Sequence, residues 1–419
     1  MIDILSKYNF WDNQKIKVGF VREHYLNDLS KYLNNSLVKV ILGQRRVGKS
    51  YLLRMIIHQL MTEMHVSPKN ILYLNMDIQE LDFIKNAEQL QKAINEYLTN
   101  LKPTGRIYVF LDEVQEIENW EKVVNSLSQD YTQDHEVFIT GSNANLLSNE
   151  LSTYLSGRYI CFQIYPFSYK EFLDINQLKK SKESFIKYLQ DGGIPESYSL
   201  SDQEMKTNYY HALRDSIVLR DIVQRYKVRD VYLLEKLMAF MIDSIGSLFS
   251  VNSVVNYMKS SGYKTNGETI SSYIGFLLNS HFIHESERYD IKGKRILSGE
   301  RKYYLNDLGF KYFLSSSFDF GIGKYLENAV FLHLKRNGYR VCTGRINGLE
   351  IDFIAEKNTV KKYFQVVYLL TDQAVIEREF GNLEQINDNY EKVVVSMDDA
   401  NLGNRNGIIH ETAWNFLCG

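Results

Sequence analysis

The sequence predicts an α/β fold for its amino-terminal part, because apolar strands alternate there with amphipathic helices. Three observations support this prediction: a glycine-containing loop between a strand and a helix, an acidic pair that closes a later apolar strand, and a small polar pair that closes the next strand. Ligands of open parallel sheets bind outside the carboxyl ends of the strands. We therefore expect these three features to form one site.

Size and composition bound the remaining possibilities. With 419 residues, the chain is too long for one ordinary core, and its length predicts two or three domains. Hydrophobic residues make up 44% and charged residues 24%, which is typical of globular proteins. Lys and Arg total 49 against 51 for Asp and Glu, a net charge of -2, so any nucleic-acid contact must come from a local basic patch.

The cysteines and the amino-terminal residues indicate a cellular compartment. Cys161, Cys342 and Cys418 are far apart and lack metal-ligand spacing, which predicts small buried residues in a reducing compartment. The first residues lack the pattern of a signal peptide, and no apolar stretch reaches membrane-spanning length. We therefore expect a cytoplasmic location and no membrane partner.

The central motif is V-K-V-I-L-G-Q-R-R-V-G-K-S-Y-L-L-R, residues 38–54, which combines a buried strand, a G-x-x-x-x-G-K-S loop and a helix. The two glycines allow successive backbone N–H groups to face phosphate oxygens. Lys49 is expected at the β- and γ-phosphates of ATP, and Ser50 on Mg²⁺. The predicted nucleotide-binding residues are Gly43, Gln44, Arg45, Arg46, Val47, Gly48, Lys49, Ser50 and Tyr51.

An amphipathic helix carrying Tyr25 and Leu29 is predicted before the first strand, and further strands at 71–75, 107–111, 136–140 and 159–164. Arg22, just before that helix, is expected to be a solvated surface arginine, with a nucleotide contact as the alternative.

The strand 107–111 ends in Asp112 and Glu113. An aspartate in this position can hold a magnesium ion, and a glutamate beside it can orient and deprotonate the attacking water. We therefore assign Asp112 to the metal and Glu113 to the general base. The intact pair argues against a protein that binds ATP without hydrolysing it.

Two further site residues are open to alternative interpretations. The strand 136–140 ends in G-S-N, so Ser142 or Asn143 could contact the γ-phosphate, and Asn143 is the preferred sensor; a plain turn is the alternative. Arg158 could stabilise transition-state charge at a γ-phosphate of a neighbouring subunit, or could pair with a local carboxylate.

These motifs carry a family resemblance. G-Q-R-R-V-G-K-S, F-L-D-E-V-Q, T-G-S-N, L-S-G-R and the later G-G-I-P-E resemble those of bacterial and archaeal AAA-type ATPases whose carboxyl-terminal half is a domain of unknown function. The resemblance covers nearly the whole chain. It implies an AAA-type P-loop three-layer sandwich at 1–165 and a helical lid at 166–228, and it supports Arg158 as a functional arginine.

A winged-helix-like module is predicted at 229–312, from helices at 231–245, at 251–259 and from about 269, followed by a basic β-hairpin. DNA phosphate contacts are expected from the hairpin side chains Lys292, Lys294, Arg295, Arg301 and Lys302. The exposed face of the third helix has no lysine or arginine, so base reading is not expected. A protein-docking or purely structural module is the alternative. Before this module, Arg214, Arg220 and Arg225 mark a helix that either supplies a sensor arginine or has a solvated charged face.

The region 313–419 resembles the restriction-endonuclease-like (PD-(D/E)XK) fold by its order of helix, strand, acidic strand and strand. The resemblance implies a metal site at Glu327, Asp352 and Gln365, but Val367 stands where the fold has its lysine. A valine cannot stabilise the developing phosphorane charge. We therefore expect a module that has lost cutting activity; Lys361 and Lys362 would have to supply the lysine from elsewhere, and Glu350 with Asp352 could hold a weak divalent ion.

The predicted function is a Mg²⁺-dependent AAA-type ATPase that acts as a nucleotide-driven switch or a DNA-associated machine. The alternatives are an ATP-regulated nuclease, an ATP-dependent regulator that binds a protein partner without significant turnover, and a DNA-binding module with vestigial ATPase activity. The predicted partners are ATP, DNA through the winged helix, a protein, and further copies of the chain in a homo-oligomer.

Overall fold

The structure is a computed structural model that describes residues 1–12, 14–147, 155, 157–315, 321–399 and 402–419, without the side chains of residues 145 and 147. The chain divides into two compact units, Met1–Ile164 and Tyr165–Gly419. The sequence predicts that the first domain ends at residue 165, and the first compact unit ends at Ile164. No helix in the described ranges is long and apolar enough to cross a bilayer.

The first unit alternates strands and helices, as predicted for residues 38–164. Its elements are α1 (Ile2–Tyr8), α2 (Glu23–Ser30), β1 (Val38–Leu42), α3 (Lys49–Thr62), β2 (Ile71–Asn75), α4 (Ala87–Leu101), β3 (Ile107–Asp112), α5 (Trp120–Gln129), β4 (His135–Gly141) and β5 (Tyr159–Gln163).

The five strands form one parallel sheet in the order β2-β3-β4-β1-β5. β1 to β4 are mostly apolar and are buried almost throughout, because both faces of the sheet are covered. On one face, alternate residues of β1, including Val38 and Val40, join a core with residues of α1, α4 and α5. On the other, α3 packs against β3 and β4. This confirms the predicted α/β architecture with a parallel sheet.

The second unit contains the remaining elements. They are α6 (Tyr169–Asn176), α7 (Lys182–Asp191), α8 (Gln203–Ser216) with a π-helical extension at Ile217–Gln224, α9 (Val231–Asp243), β6 (Leu248–Phe249), α10 (Val251–Ser260), α11 (Gly267–Asn279), β7 (Ile283–Asp290), β8 (Arg295–Leu305), α12 (Gly309–Leu314), α13 (Ile322–Arg336), β9 (Arg340–Ile346), β10 (Leu349–Lys357), β11 (Val360–Val367), α14 (Gln373–Glu384), β12 (Glu391–Ser396), β13 (Asn404–Arg405), β14 (Ile408–Thr412) and α15 (Ala413–Phe416).

One mixed sheet runs through this unit in the order β13-β14-β12-β11-β10-β9-β7-β8-β6. The predicted order of three helices and a hairpin occurs as α9, α10, α11 and β7–β8. The hairpin is not a separate wing, however, because β7 also pairs in parallel with β9 of the region predicted to be nuclease-like. The boundary expected at residues 312 and 313 therefore separates two parts of one hydrogen-bonded sheet.

The G-G-I-P-E motif, residues 192–196, is a bend that leads into a 3₁₀ helix and packs against a buried carboxylate. Gly192 has φ +73°, and a Cβ on it would lie 2.3 Å from Oδ1 of Asp307. A Cβ on Gly193 would lie 2.4 Å from the Phe167 carbonyl oxygen. Asp307 accepts hydrogen bonds from the Gly193 N–H and, at 2.8 Å, from the Tyr210 hydroxyl. The two glycines are therefore required by close packing.

Asp307 predicts a pH-dependent stability. Burial raises the pKa of its carboxyl to about 6, although the bonds from Gly193, Tyr210 and Gly309 oppose the rise. The folded state then binds a proton more tightly than the unfolded state, so this stabilisation is full near pH 4 and is lost as the pH rises through about 6. The stability of the wild type relative to Asp307→Asn should fall by on the order of 2 kcal/mol between pH 4 and 7 in urea titrations. A pH-independent difference would contradict this assignment.

Candidate active site

The loop after β1 has the backbone shape of an anion-binding nest. Arg46 and Gly48 both have left-handed backbone angles, φ 68° and φ 98°. A Cβ on Gly43 would lie 2.5 Å from the Ile164 carbonyl oxygen, so only glycine fits there. Alternating right- and left-handed residues turn successive N–H groups into one concavity. Gly48 directly precedes α3, whose amino-terminal end adds a positive dipole.

Lys49 is held inside this loop. Its ammonium donates to the carbonyl oxygens of Gly43 at 3.0 Å and Gln44 at 3.3 Å, and it lies 3.2 Å from Oε1 of Glu113. The side chain is only 3% exposed. The structure thus brings together the predicted phosphate-binding lysine and the predicted base.

Asp112 lies at the carboxyl end of β3, in an entirely buried position. It accepts hydrogen bonds from the hydroxyls of Thr140 at 2.6 Å and Tyr73 at 2.7 Å. Burial, and then the charge of Glu113, raise the pKa of Asp112 above its ordinary value, against these bonds and the influence of the nearby Ser50 hydroxyl. The two predicted magnesium ligands, Ser50 and Asp112, therefore meet.

Glu113 adopts a left-handed backbone conformation, φ 58°, directly after β3. Its N–H donates to the Thr140 hydroxyl at 2.8 Å. Burial acts to raise the pKa of Glu113, but the charge of Lys49, the hydrogen bond from Gln115 and the charge of Arg45 outweigh it and hold the pKa below its ordinary value. Glu113 is therefore an ionised carboxylate in this arrangement.

Sequence reasoning did not assign Thr140, Tyr73 or Gln115 to the site. Thr140 contacts both acidic residues, and its position in T-G-S-N at the end of the neighbouring strand was the available signal. Gln115 donates from Nε2 to Oε2 of Glu113 at 2.6 Å, while its buried Oε1 has no hydrogen-bond partner within the described residues. An unused acceptor beside a carboxylate can receive a hydrogen bond from a water molecule.

The other predicted loop residues surround this centre. Arg45 is buried and lies 4.0 Å from the Asp77 carboxylate, whereas Arg46 is exposed. Tyr51 is 45% exposed, with the Arg54 guanidinium 4.1 Å from its ring centroid.

The expectation of a solvated Arg22 is wrong. Arg22 is 3% exposed and donates to the Val47 carbonyl oxygen at 3.2 Å. Its guanidinium also lies 4.6 Å from the Tyr25 ring centroid. Arg22 therefore supports the loop from beneath its backbone.

Asn143 and Arg158, the two site residues with alternative interpretations, lie at opposite edges of the sheet. Asn143 is buried just after β4, whose Gly141 pairs with Leu42, so it lies at the edge of the sheet that bears the loop. Arg158 is exposed and precedes Tyr159, which pairs with Val38 at the opposite end of β1. Within one chain Arg158 is therefore at the sheet edge opposite the loop. Ser156 of L-S-G-R lies outside the described residues.

The expected basic wing is smaller than predicted. Lys292, Lys294 and Arg295 are exposed, but Arg301 is hydrogen-bonded to Glu285. Lys302 is 4% exposed and ion-paired, so the expectation that it contacts DNA is wrong. β8 carries it inward, toward the predicted nuclease residues.

The predicted nuclease residues do lie together in the second unit. Glu327 and Asp352 are 2.8 Å and 3.8 Å from the Lys302 ammonium. The register of β10 and β11, which pairs Phe353 with Phe364, places Gln365 opposite Asp352. Lys361 and Lys362 instead lie near Glu356 and Glu391, so neither replaces the lysine missing at 367. The cysteines are unpaired as predicted, but Cys161 is exposed rather than buried.

Comparisons with known proteins place the chain in a family. The profile of a family described as an AAA domain matches residues 35–173, and that of a domain of unknown function, DUF8612, matches residues 182–319. An uncharacterized protein from Haemophilus influenzae is 36% identical over 384 residues, which cover 91% of this chain and 94% of the relative. An uncharacterized protein from Methanocaldococcus jannaschii is 29% identical, covering 90% of this chain and 83% of the relative.

The fold, the loop and the profile match define a P-loop protein of the AAA class. The chain belongs to the family of AAA-domain proteins that includes the Haemophilus influenzae relative.

Solved structures show weaker similarity. The Aeropyrum pernix ORC1 protein in complex with DNA is 14% identical, with a TM-score of 0.33, covering 71% of this chain and 93% of that chain. The Thermotoga maritima RuvB Holliday junction branch migration motor is 17% identical, with a TM-score of 0.31, covering 63% and 89%. AMPPCP-bound DnaA from Aquifex aeolicus is 16% identical, with a TM-score of 0.31, covering 65% and 91%. These TM-scores support no conclusion about function.

Proposed function

We propose that the first unit binds ATP with Mg²⁺ and hydrolyses it. The observation that carries this proposal is the convergence of Lys49, Ser50, Asp112 and Glu113 at one edge of the sheet, beside a nest-shaped loop. The donor set fits magnesium, since a buried carboxylate with a raised pKa and a hydroxyl are hard oxygen ligands. Bound there, Mg²⁺ would neutralise charge on the phosphate oxygens.

The contact between Lys49 and Glu113 indicates how nucleotide binding would raise the pKa of the proposed base, Glu113. Phosphate oxygens compete with Glu113 for the Lys49 ammonium, because both are anionic partners of the same cation. Once Lys49 turns to the phosphate, Glu113 loses its main stabilising charge, and burial then raises its pKa toward the range useful for a base. Glu113 can then take a proton from the attacking water, while Asn143 contacts the γ-phosphate as sensor.

The magnesium dependence of phosphate release tests this proposal. We expect the wild type to release phosphate from ATP only with Mg²⁺, and Asp112→Asn to lower turnover at saturating Mg²⁺ by about 100-fold, since the variant loses a buried metal ligand. Asp82→Asn, a change at an exposed carboxylate paired with Lys85, is the matched control and should behave as wild type. Release no faster than in a protein-free blank would refute hydrolysis.

Gln115 should act as a positioning residue. Gln115→Ala removes the hydrogen bond to Glu113 and the unused amide oxygen beside it. We expect kcat to fall by about tenfold with the KM for ATP unchanged, because the hydrogen bond that is lost is made to the base, Glu113. The acidic limb of the kcat–pH profile should also move to higher pH, since the hydrogen bond from Gln115 lowers the pKa of Glu113. Equal kcat values and pH profiles would exclude this role.

We propose Arg158 as an arginine finger only for the nucleotide of a neighbouring subunit, because within one chain it lies at the sheet edge opposite the phosphate loop. This role requires a homo-oligomer. In the wild type, ATP turnover per chain should rise with protein concentration. In Arg158→Ala, turnover per chain should not depend on protein concentration. A wild-type rate independent of concentration in the range where mass measurements show self-association would refute it.

DNA contact is a second candidate function, favoured by one observation. The tip of the β7–β8 hairpin exposes Lys292, Lys294 and Arg295. A patch of this size supports phosphate contacts without base reading. Salt-sensitive duplex binding should weaken in Lys294→Gln/Arg295→Gln and persist in Lys259→Gln, an exposed lysine of α10. Identical salt dependence in all three proteins would argue for a protein-docking or structural module.

A further inference from the structure

A buried lysine lies among carboxylates in the second unit. The ammonium of Lys302 is 2.8 Å from Oε1 of Glu327, 2.7 Å from Oε1 of Glu350 and 3.8 Å from Oδ1 of Asp352. The lysine comes from β8, and the carboxylates come from α13 and β10. We call these four residues the Lys302 cluster. It joins the predicted wing hairpin to the predicted nuclease-like strands.

Two carboxylates of the Lys302 cluster, those of Glu327 and Asp352, are fixed by further contacts, whereas the Glu350 side chain is 38% exposed. The Tyr304 hydroxyl donates to Oε1 of Glu327 at 2.7 Å, and the Val366 N–H donates to Oδ2 of Asp352 at 2.8 Å. Gly246 lies so close that a Cβ on it would be 3.2 Å from Oε2 of Glu327. The carboxylates of Glu327 and Asp352 therefore have little freedom to rearrange.

The nuclease-like order of elements implies a divalent metal at this place, and the residues present do not fit one. A Mg²⁺ or Mn²⁺ ion bound to Glu327, Glu350 and Asp352 would lie close to the Lys302 ammonium, because one oxygen of each carboxylate already faces that ammonium. Two like unit charges about 4 Å apart repel by about 4 kcal/mol at a protein surface, and a divalent ion doubles this. Among the described residues, no group of three or more His, Cys, Asp or Glu side chains is arranged to hold a metal ion.

One neighbouring atom could be taken as a metal ligand. Oε1 of Gln365 is buried without a hydrogen-bond partner among the described residues, and Gln365 lies opposite Asp352 in the β10–β11 register. A single neutral oxygen cannot offset the repulsion between an ammonium and a second cation in the same space. A buried water molecule is the ordinary partner of such an atom.

We propose that Lys302 is the permanent cation of this cluster: it occupies the position of the metal that the nuclease-like arrangement implies, and it locks the β7–β8 hairpin to α13 and β10. The Lys302 cluster then needs no divalent ion. This inference does not depend on ATP binding in the first unit, and it accounts for a nuclease-shaped region without the lysine at 367.

Mn²⁺ binding tests this assignment in the full chain without nucleotide. All proteins carry Asp112→Asn, so that the first unit does not contribute a metal site. Electron paramagnetic resonance measures the bound Mn²⁺, and Asp352→Asn identifies binding at the cluster. In the protein with Lys302, we expect Asp352→Asn to leave Mn²⁺ binding unchanged. The additional change Lys302→Met should create a Mn²⁺ site at the cluster, because three carboxylates lose their cation. We expect this protein to bind Mn²⁺ at least about tenfold more tightly than the protein with Lys302. Lys361→Met, a neighbouring lysine 3.9 Å from Glu356, is the matched control and should create none.

Thermal unfolding provides the second readout. Lys302→Met should lower the unfolding temperature without metal, and Mn²⁺ should restore part of the loss in that variant alone. Mn²⁺ binding by the protein with Lys302, lost in Asp352→Asn, would overturn the proposal even if Lys302→Met failed to fold. A folded Lys302→Met protein with no gain in Mn²⁺ affinity would overturn it as well.

Discussion

Glu113→Gln is expected to bind ATP and to hydrolyse it about 100-fold or more slowly than the wild type, the usual contribution of a general base. The amide keeps the size of the side chain and its place beside Lys49, but it cannot accept the proton of the attacking water. Since the carboxylate no longer competes for Lys49, ATP should bind at least as tightly as before. Single-turnover hydrolysis and equilibrium binding measure the two effects separately.

Glu116→Gln is the matched control for this prediction. Glu116 lies three residues away, is exposed, and ends the short 3₁₀ segment that begins directly after Glu113. The same chemical change there should leave turnover within about twofold of the wild type, as is usual for exposed sites. Unchanged single-turnover hydrolysis in Glu113→Gln would remove Glu113 from the role of base.

Lys39→Met should destabilise the first unit by about 3 kcal/mol, because it leaves a buried carboxylate without its nearest cation. The Lys39 ammonium is 2.6 Å from Oε1 of Glu136, and neither side chain is exposed. Burial lowers the pKa of Lys39, although the hydrogen bond and the charge of Glu136 oppose this. Arg106, 3.3 Å from the other carboxylate oxygen, limits the loss. Urea unfolding measures the change.

The double variant Lys39→Met/Glu136→Leu tests whether the lost stability comes from the carboxylate that is left without its cation. Replacing both partners by apolar residues removes the stranded charge, so most of the lost stability should return. A free energy of unfolding for Lys39→Met within about 0.5 kcal/mol of the wild-type value, the range of ordinary surface changes, would show that the buried pair does not stabilise the fold.

The strands of the first unit were predictable because a parallel sheet covered on both faces requires continuous apolar runs. The phosphate loop and the pair Asp112–Glu113 were predictable because each is a local pattern next to such a strand. Neither α1 nor the π-helical extension of α8 was predicted.

The environment of single charged residues could not be predicted from local pattern. Arg22 looked like a surface residue, and its burial depends on the Val47 carbonyl of a loop formed later in the chain. Lys302 looked like part of an exposed basic hairpin, and its burial depends on carboxylates from α13 and β10. Arg158 lies on a predicted strand boundary, but only the pairing of β5 with β1 shows which sheet edge it occupies.

Equilibrium binding of Mg²⁺-ATP to the wild type and to Lys49→Ala tests the central claim most directly. Lys49 is enclosed by the loop, 3.0 Å from the Gly43 carbonyl oxygen, and is the residue expected at the β- and γ-phosphates. We predict saturable binding to the wild type and to Lys92→Ala, an exposed lysine of α4, with affinity at least about tenfold lower in Lys49→Ala, a loss of about 1.4 kcal/mol or more. Equal affinity in all three proteins, or no binding to the wild type, would contradict the account.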